Sequence, residues 1–173
     1  QIRASAVSDI VVTRWGARFS GRRFPCAVGR GGIVAGQRKR EGDGATPAGL
    51  HRIVGCLYRP YRLAPDTVPD WAVPIGPCDL WSDDVRDPDY NLMVRVPHGF
   101  GHERLWRADP LYDLVLVTDW NWPSAEKGRG SAIFLHAWRK PRHPTAGCVA
   151  FDPADLRWIA RNLTPRSLLI VMG

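Results

Sequence analysis

Proline and glycine divide this chain into short segments, and this division constrains the fold more than any other feature. The 173 residues include 15 prolines and 17 glycines, spread along the whole length. Proline removes a backbone donor and glycine adds backbone freedom, so neither is favoured inside a long helix. Most of the segments between them are too short for helices and long enough for strands. The sequence therefore predicts a mainly β fold.

Eight segments have the composition of strands. They are rich in β-branched and large apolar residues and are bounded by Gly, Pro, Asp or Asn. The predicted strands are Ile10 to Trp15, Arg23 to Val28, Leu50 to Val54, Leu92 to Val96, Leu114 to Thr118, Ala132 to Leu135, Cys148 to Phe151 and Leu168 to Val171.

The clearest helix is predicted from Pro153 to Leu163. Asp152 can cap it, Pro153 suits its first position, and apolar residues recur on one face. The proline-rich section from Tyr58 to Asp89 is predicted to be an elaborated loop region that covers the sheet. One or two short helices in a mainly β domain are therefore expected.

Size and composition predict one domain over residues 1–173. Hydrophobic residues make up 45% of the chain, which is enough for one core of its own. No apolar run approaches the roughly 18 to 20 residues that span a bilayer, and the first residues lack the layout of a secretory signal. We expect the chain as given to be soluble, without a membrane span, and monomeric.

Charge and cysteine usage narrow the function only partly. The net charge of +7 favours anionic partners, which include nucleic acid, membrane surfaces and acidic polymers or peptides. The four cysteines are widely separated and contain no Cys-x-x-Cys pair, which argues against a zinc ribbon or a thioredoxin-like centre. We expect at most one disulfide, buried thiols for the rest, and no metal or cofactor.

The most informative stretch joins a strand-end histidine to a cysteine turn. An apolar segment ends at His136, a basic loop follows, and the chain returns through Thr145-Ala146-Gly147-Cys148. Both ends can meet at one edge of a sheet, where an imidazole can take the proton of a thiol and hold the thiolate as an ion pair. The amides of Gly147 and Cys148 can then stabilise an oxyanion. The alternative interpretation is an inert buried thiol and a structural histidine.

These residues resemble the L,D-transpeptidase catalytic domain, also called YkuD-like, whose signature is an apolar strand ending in His followed by Ser/Thr-x-Gly-Cys. The resemblance covers most of the chain and extends to a proteobacterial type of this family. Besides the cysteine turn, the segments that carry it are Glu41 to Gly49, Asp87 to Asn91, Glu103 to Arg107 and Gly130 to His136.

The resemblance implies a single-domain, mixed β-sheet sandwich and a cysteine acyltransferase. Cys148 would form a thioester with a peptidoglycan stem peptide, and an amine of a second stem would resolve it. His136 would be the base, and the carbonyl of Ala137 would orient its ring. The expected partners are donor and acceptor stem peptides and not nucleic acid, and the expected location is the periplasm or cell envelope.

Two departures leave donor binding and the crosslink open. Many relatives have Arg where this chain has Ala150, and many have His where it has Ala146. Arg139, Lys140 or Arg142 can replace the missing cation, because a guanidinium grips carboxylates in bidentate fashion. Both a 3-3 crosslink between diaminopimelates and a 1-3 crosslink from L-alanine to diaminopimelate remain possible. The other residues predicted to bind substrate are Trp138, beside the histidine, and Thr145 and Ser131, in the motif.

Two competing functions remain. A cysteine-dependent wall hydrolase, either an endopeptidase or an amidase, would use the same thioester with water as acceptor. A basic domain that binds wall polymer or nucleic acid without catalysis would explain the charge and the aromatic residues, but not the cysteine turn. His98 and His102 have the spacing of zinc ligands on a helix, but the glycines around them argue against a helix there.

Overall fold

Strands dominate the structure, a computed structural model that describes residues 5–173. This part of the chain also contains one α-helix, α1 (Pro153–Asn162), and two short 3₁₀ turns, Gly36–Arg38 and Pro65–Thr67. The strands are β1 (Ile10–Thr13), β2 (Gly16–Phe19), β3 (Arg22–Phe24), β4 (Cys26–Ala27), β5 (Ile33–Val34), β6 (Thr46–Pro47), β7 (Gly49–Tyr58), β8 (Val73–Pro74), β9 (Asp79–Ser82), β10 (Met93–Arg95), β11 (His102–Arg104), β12 (Leu114–Thr118), β13 (Phe134–Ala137), β14 (Val149–Phe151) and β15 (Leu168–Val171).

Ten of these strands form one mixed sheet. Its order is β3-β2-β1-β15-β7-β12-β13-β14-β4, and β8 pairs with β7 outside this path. Most neighbours are antiparallel, but three pairs run parallel: β13 with β14, β1 with β15, and β7 with β8. A three-stranded sheet, β10-β9-β11, and a two-stranded sheet, β5-β6, complete the architecture. The prediction of a mainly β sandwich is confirmed.

Strand β12 shows how the large sheet separates two cores. All five of its residues are buried, so both faces of this strand are covered. Leu114 and Leu116 belong to a core that includes residues of helix α1. Val115 and Val117 point to the other face, where they pack with Trp81 of the small sheet. Because side chains alternate along a strand, a continuous aliphatic run fits a strand buried on both sides.

Helix α1 begins where its capping residue predicts. The Asp152 carboxylate accepts hydrogen bonds from the amides of Ala154, at 2.9 Å, and Asp155, at 3.4 Å, and Pro153 occupies the first turn. The helix ends at Asn162, one residue before the predicted end, because Leu163 is already extended. Among residues 5–173 there is no helix with the length and apolar character that crossing a membrane requires.

Several predicted strand bounds need correction: Arg23 to Val28 is divided between β3 and β4, and Leu50 to Val54 is part of the longer β7. Two further corrections concern the small sheet and the approach to His136. The section from Tyr58 to Asp89 is more than a loop, because β9 lies in it as the fully buried central strand of the small sheet. Strand β13 begins at Phe134 and not at Ala132, because Ala132 has a positive φ of 52° and cannot continue a strand. Strand β13 also ends at Ala137 and not at Leu135, which places His136 inside the strand.

Candidate active site

Cys148 and His136 lie on two neighbouring parallel strands. In the pairing of β13 with β14, His136 is opposite Ala150, and Cys148 directly precedes the first residue of β14. Because side chains alternate, His136 and Cys148 point to the same face of the sheet, the face away from helix α1. Both residues line one cavity of about 300 Å³.

His136 is held as a neutral ring with one nitrogen available. Its Nδ1 lies 2.7 Å from the carbonyl oxygen of Ala137, the carbonyl that the family resemblance implies. A carbonyl can only accept, so Nδ1 carries the hydrogen and Nε2 is left as the proton acceptor. Burial lowers the pKa of His136 to about 4, and the ring of Tyr112 packs edge-on against it at 5.3 Å. The imidazole is therefore an oriented, uncharged ring that can accept a proton at neutral pH.

The Cys148 thiol is buried and protonated. Its Sγ donates to the carbonyl of Ala132 at 3.0 Å and accepts from the amide of Phe134 at 3.3 Å. Burial, followed by the nearby charge of Glu103, raises its pKa to about 12. Neither hydrogen bond joins the thiol to His136. The hydrogen bonds of the thiol thus show no ion pair of the kind expected from the sequence, and burial disfavours both of its charges.

The other three thiols lie outside this cavity. All four cysteines are free, and Cys26 and Cys56 are buried like Cys148. Burial raises the pKa of Cys26 to about 11 and that of Cys56 to about 12. Of the four, Cys148 alone lines the cavity with a histidine.

The resting thiol should react slowly with alkylating reagents. With a pKa of about 12, the thiolate fraction of Cys148 at neutral pH is far below that of free cysteine, whose pKa is about 8.5. We expect iodoacetamide to modify Cys148 at least about 100-fold more slowly than free cysteine, with a rate that rises about tenfold per pH unit from neutral to mildly alkaline pH. Peptide mapping by mass spectrometry measures this rate. A plateau near neutral pH would instead reveal a pre-formed ion pair.

Thr145 closes the turn that carries Cys148. Its hydroxyl donates to the carbonyl of Cys148 at 2.6 Å and accepts from the amide of Gly147 at 3.0 Å. The Gly147 amide is therefore engaged within the turn, and its role in stabilising an oxyanion stays a prediction. The amide of Cys148 takes no part in these two hydrogen bonds.

The segment that precedes β7 holds this turn in place through hydrogen bonds. The buried hydroxyl of Thr46 donates to the carbonyl of Gly147 at 2.8 Å and accepts from the amide of Gly29 at the same distance. Gly147 has a φ of +140°, and a Cβ there would lie 2.9 Å from the carbonyl oxygen of Ala45. Thr46 is thus a positioning residue that sequence analysis missed, although the segment around it was one of those resembling the family.

A second segment fixes the approach to β13. The buried side chain of Asn91 accepts hydrogen bonds from the amide of Ala132 at 2.9 Å and from the indole of Trp81 at 2.9 Å. Its amide group donates to the carbonyls of Trp120 and Asn121. Because these bonds hold Ala132 in its strained conformation, they also orient the carbonyl that receives the Cys148 thiol.

Some of the predicted substrate-binding residues line the cavity, and others lie outside it. Trp138, Arg139 and Thr145 line it. Arg142 is placed elsewhere, because its turn directs the guanidinium toward the carbonyl of Trp15 at 3.4 Å, beside a separate groove. Ser131 is also elsewhere, because its hydroxyl donates to Glu41 at 2.8 Å.

Two cations of the cavity were missed by sequence analysis. Arg30 and Arg107 line it together with Arg139, and Lys140 is not among the lining residues. Arg30 is distant from the motif in sequence, and it reaches the site because an isolated bridge pairs Gly29 with Thr145. Asp109 holds Arg107 in a bidentate pair, with Nε–Oδ1 at 2.9 Å and Nη2–Oδ2 at 2.7 Å, so Arg107 adds only charge to the cavity. Arg30 and Arg139 are the guanidiniums suited to grip carboxylates. Ala150, at the position of the family's arginine, also lines this cavity.

The two histidines with zinc-ligand spacing form a different kind of cluster. His98 lies in hydrogen-bond contact with Asp87, 2.6 Å from Nε2 to Oδ2, and its ring is 5.9 Å from that of His102. Ser82 donates to the same oxygen of Asp87 at 2.5 Å. Within residues 5–173, no group of three or more His, Cys, Asp or Glu side chains is arranged to hold a metal ion.

Comparison with known proteins gives one match. The family model described as the L,D-transpeptidase catalytic domain, YkuD, matches residues 11–171. The matched range includes both strands of the site, the cysteine turn and the two supporting segments. A search of curated proteins finds no match.

Proposed function

We propose, since this chain belongs to the L,D-transpeptidase catalytic domain family, that it crosslinks peptidoglycan stem peptides through a thioester on Cys148. The observation that carries the proposal is the shared cavity of Cys148 and His136, in which Ala137 leaves His136 Nε2 free to accept a proton. Crosslinking takes place where peptidoglycan lies, so the proposed location is the periplasm or cell envelope.

The first half-reaction follows from the resting state of the pair. Both groups are neutral, so the proton of Cys148 passes to His136 Nε2 as sulfur attacks the donor carbonyl. The amide of Cys148 stabilises the oxyanion, and the carbonyl re-forms as the peptide C–N bond breaks. The imidazolium returns its proton to the leaving amine. A thioester and a neutral His136 remain.

In this proposal, the positive charge of the cavity binds the carboxylates of the donor peptide. Stem peptides carry several carboxylates, and Arg30, Arg107 and Arg139 line the cavity beside the nucleophile. These cations replace the arginine for which this chain has Ala150. Both the 3-3 and the 1-3 crosslink remain compatible with such a site, and the proteobacterial resemblance favours testing the 1-3 linkage directly.

Incubation with purified peptidoglycan tests the function. We expect new muropeptide dimers, and tandem mass spectrometry of these dimers locates the bond and names the linkage. The control is the same incubation without enzyme. Shortened monomers without dimers would make the protein a hydrolase, and binding with unchanged muropeptides would make it a non-catalytic wall-binding domain.

A further inference from the structure

Glu103 is the one carboxylate that lines the active cavity formed by the described residues. It lies in β11, opposite Trp81, and its Oε2 accepts a hydrogen bond from the hydroxyl of Tyr112 at 3.0 Å. Within residues 5–173 no Lys, Arg or His nitrogen comes within 4.0 Å of it, in contrast to Asp113, which pairs with Arg62 at 2.9 Å. Burial raises the pKa of its carboxyl. Glu103 is thus a mostly buried acid without an ion-pair partner.

This carboxylate opposes the first half-reaction. Its charge raises the pKa of Cys148, so it disfavours the thiolate that attacks the donor. Tyr112 joins Glu103 to the catalytic pair, because its hydroxyl bonds to the carboxylate and its ring packs against His136. A buried negative charge at this place becomes favourable when a substrate brings a positive charge to it. The second half-reaction does so, because a primary amine is an ammonium ion at neutral pH.

We propose that Glu103 and Tyr112 form the ammonium-binding subsite for the acceptor, and that Glu103 takes the proton that makes the amine nucleophilic. The inference rests on the proposed function, since it requires a thioester on Cys148. The ligand class is a primary amine that is protonated in water, such as the side-chain amine of a diamino acid.

The proposed step balances in protons and bonds. The ammonium gives one proton to the Glu103 carboxylate and becomes a neutral amine. Its nitrogen attacks the thioester carbonyl, a C–N bond forms, and the C–S bond breaks. The second nitrogen proton passes to His136 and then to the departing Cys148 sulfur. Glu103 releases its proton to solvent, and the enzyme returns to its resting state.

Single-turnover measurements separate acylation from transfer. Wild type and Glu103→Gln are acylated with a disaccharide-tetrapeptide muropeptide and followed by intact-protein mass spectrometry. The acyl-enzyme is then offered a diaminopimelate-containing muropeptide or hydroxylamine, a nucleophile that is mostly uncharged at neutral pH. We expect Glu103→Gln to acylate at least as fast as wild type, to lose at least about tenfold in transfer to the ammonium acceptor, and to keep hydroxylamine transfer within about twofold.

The pH dependence of the transfer rate gives a further test, because it would not change if Glu103 had only a structural role. The groups that act on Glu103 are Tyr112, Asp83, Arg107 and Glu41, and of these Tyr112 alone hydrogen-bonds to it. Only the ionised carboxylate accepts a proton, so wild-type transfer should rise as the pH rises through the raised carboxyl pKa. This rise of the transfer rate with pH should be absent in Glu103→Gln, and Glu103→Asp should restore part of it.

The possible results distinguish a failure of the proposed subsite from a failure of the proposed function. If wild type forms no acyl-enzyme, the proposed function is wrong. If acyl-enzyme forms and Glu103→Gln treats both nucleophiles alike, whether unchanged or equally slowed, the function stands and the subsite is wrong. Should this variant fail to fold, Tyr112→Phe replaces it and should raise the KM of the ammonium acceptor by about threefold or more without changing hydroxylamine transfer. Equal KM values would overturn the subsite.

Discussion

Replacing Cys148 by alanine is expected to remove all crosslinking while the protein stays folded. The thioester cannot form without sulfur, so the loss should be on the order of 10⁴-fold or more, and no acyl-enzyme mass should be detected. The fold should tolerate the change, because the substitution removes a single atom and leaves the Thr145 and Thr46 hydrogen bonds of the turn intact. Muropeptide analysis gives the activity, and thermal unfolding gives the stability.

Two other cysteines provide matched controls. Cys56→Ala removes a thiol that is buried and has a similarly raised pKa, of about 12, but that lies in the core on the side of helix α1. Cys78→Ala removes a half-buried thiol outside the cavity. Both variants should keep activity once folded. Residual crosslinking by Cys148→Ala, or an equal loss in Cys56→Ala, would mean that Cys148 is not the nucleophile.

The fold was predictable where local sequence and tertiary packing agree. Helix α1 has a capping aspartate and a proline at its start, and β12 is an uninterrupted aliphatic run, so both lie within one residue of their predicted bounds. Strand β9 was missed because prolines and glycines surround it and because Trp81 is buried against residues of the large sheet, such as Phe134, that are distant in sequence. Single-sequence patterns carry no information on such partners.

The part of the site that lies in one continuous stretch of sequence was predictable, and the contacts between distant parts of the chain were not. His136, Cys148 and the intervening loop form one continuous motif, and the cavity joins them. Thr46 is separated from Gly147 by 101 positions, and Ser131 from Glu41 by 90, so their hydrogen bonds depend on the assembled sheet. The charge states were not predictable either, because burial depends on neighbours from the small sheet. Arg142 was expected at the site from its distance along the chain, but a turn with a positive φ directs it away.

Replacing Gly147 by alanine should damage both stability and activity. A φ of +140° is unfavourable for any side chain and costs about 1 to 3 kcal/mol. The added Cβ would also lie 2.9 Å from the backbone oxygen of Ala45, which cannot move aside like a flexible side chain, and such overpacking costs about 1 to 3 kcal/mol more. We therefore expect unfolding free energy to fall by about 2 to 6 kcal/mol. Activity should fall about 100-fold, because the clash displaces the adjacent Cys148.

Gly49 separates the two contributions, because it shares the backbone strain and lacks the clash. Its φ is +129°, and no atom lies within 4 Å of the position of its Cβ. Gly49→Ala should therefore lose about 1 to 3 kcal/mol in a denaturant titration and keep its crosslinking rate. The difference between the two variants then measures the contact between Ala45 and the cysteine turn. The contrary result would be a Gly147→Ala variant with the same stability and activity as Gly49→Ala. The segment that contains Ala45 and Thr46 would then not position Cys148, and Thr46 would lose its proposed role.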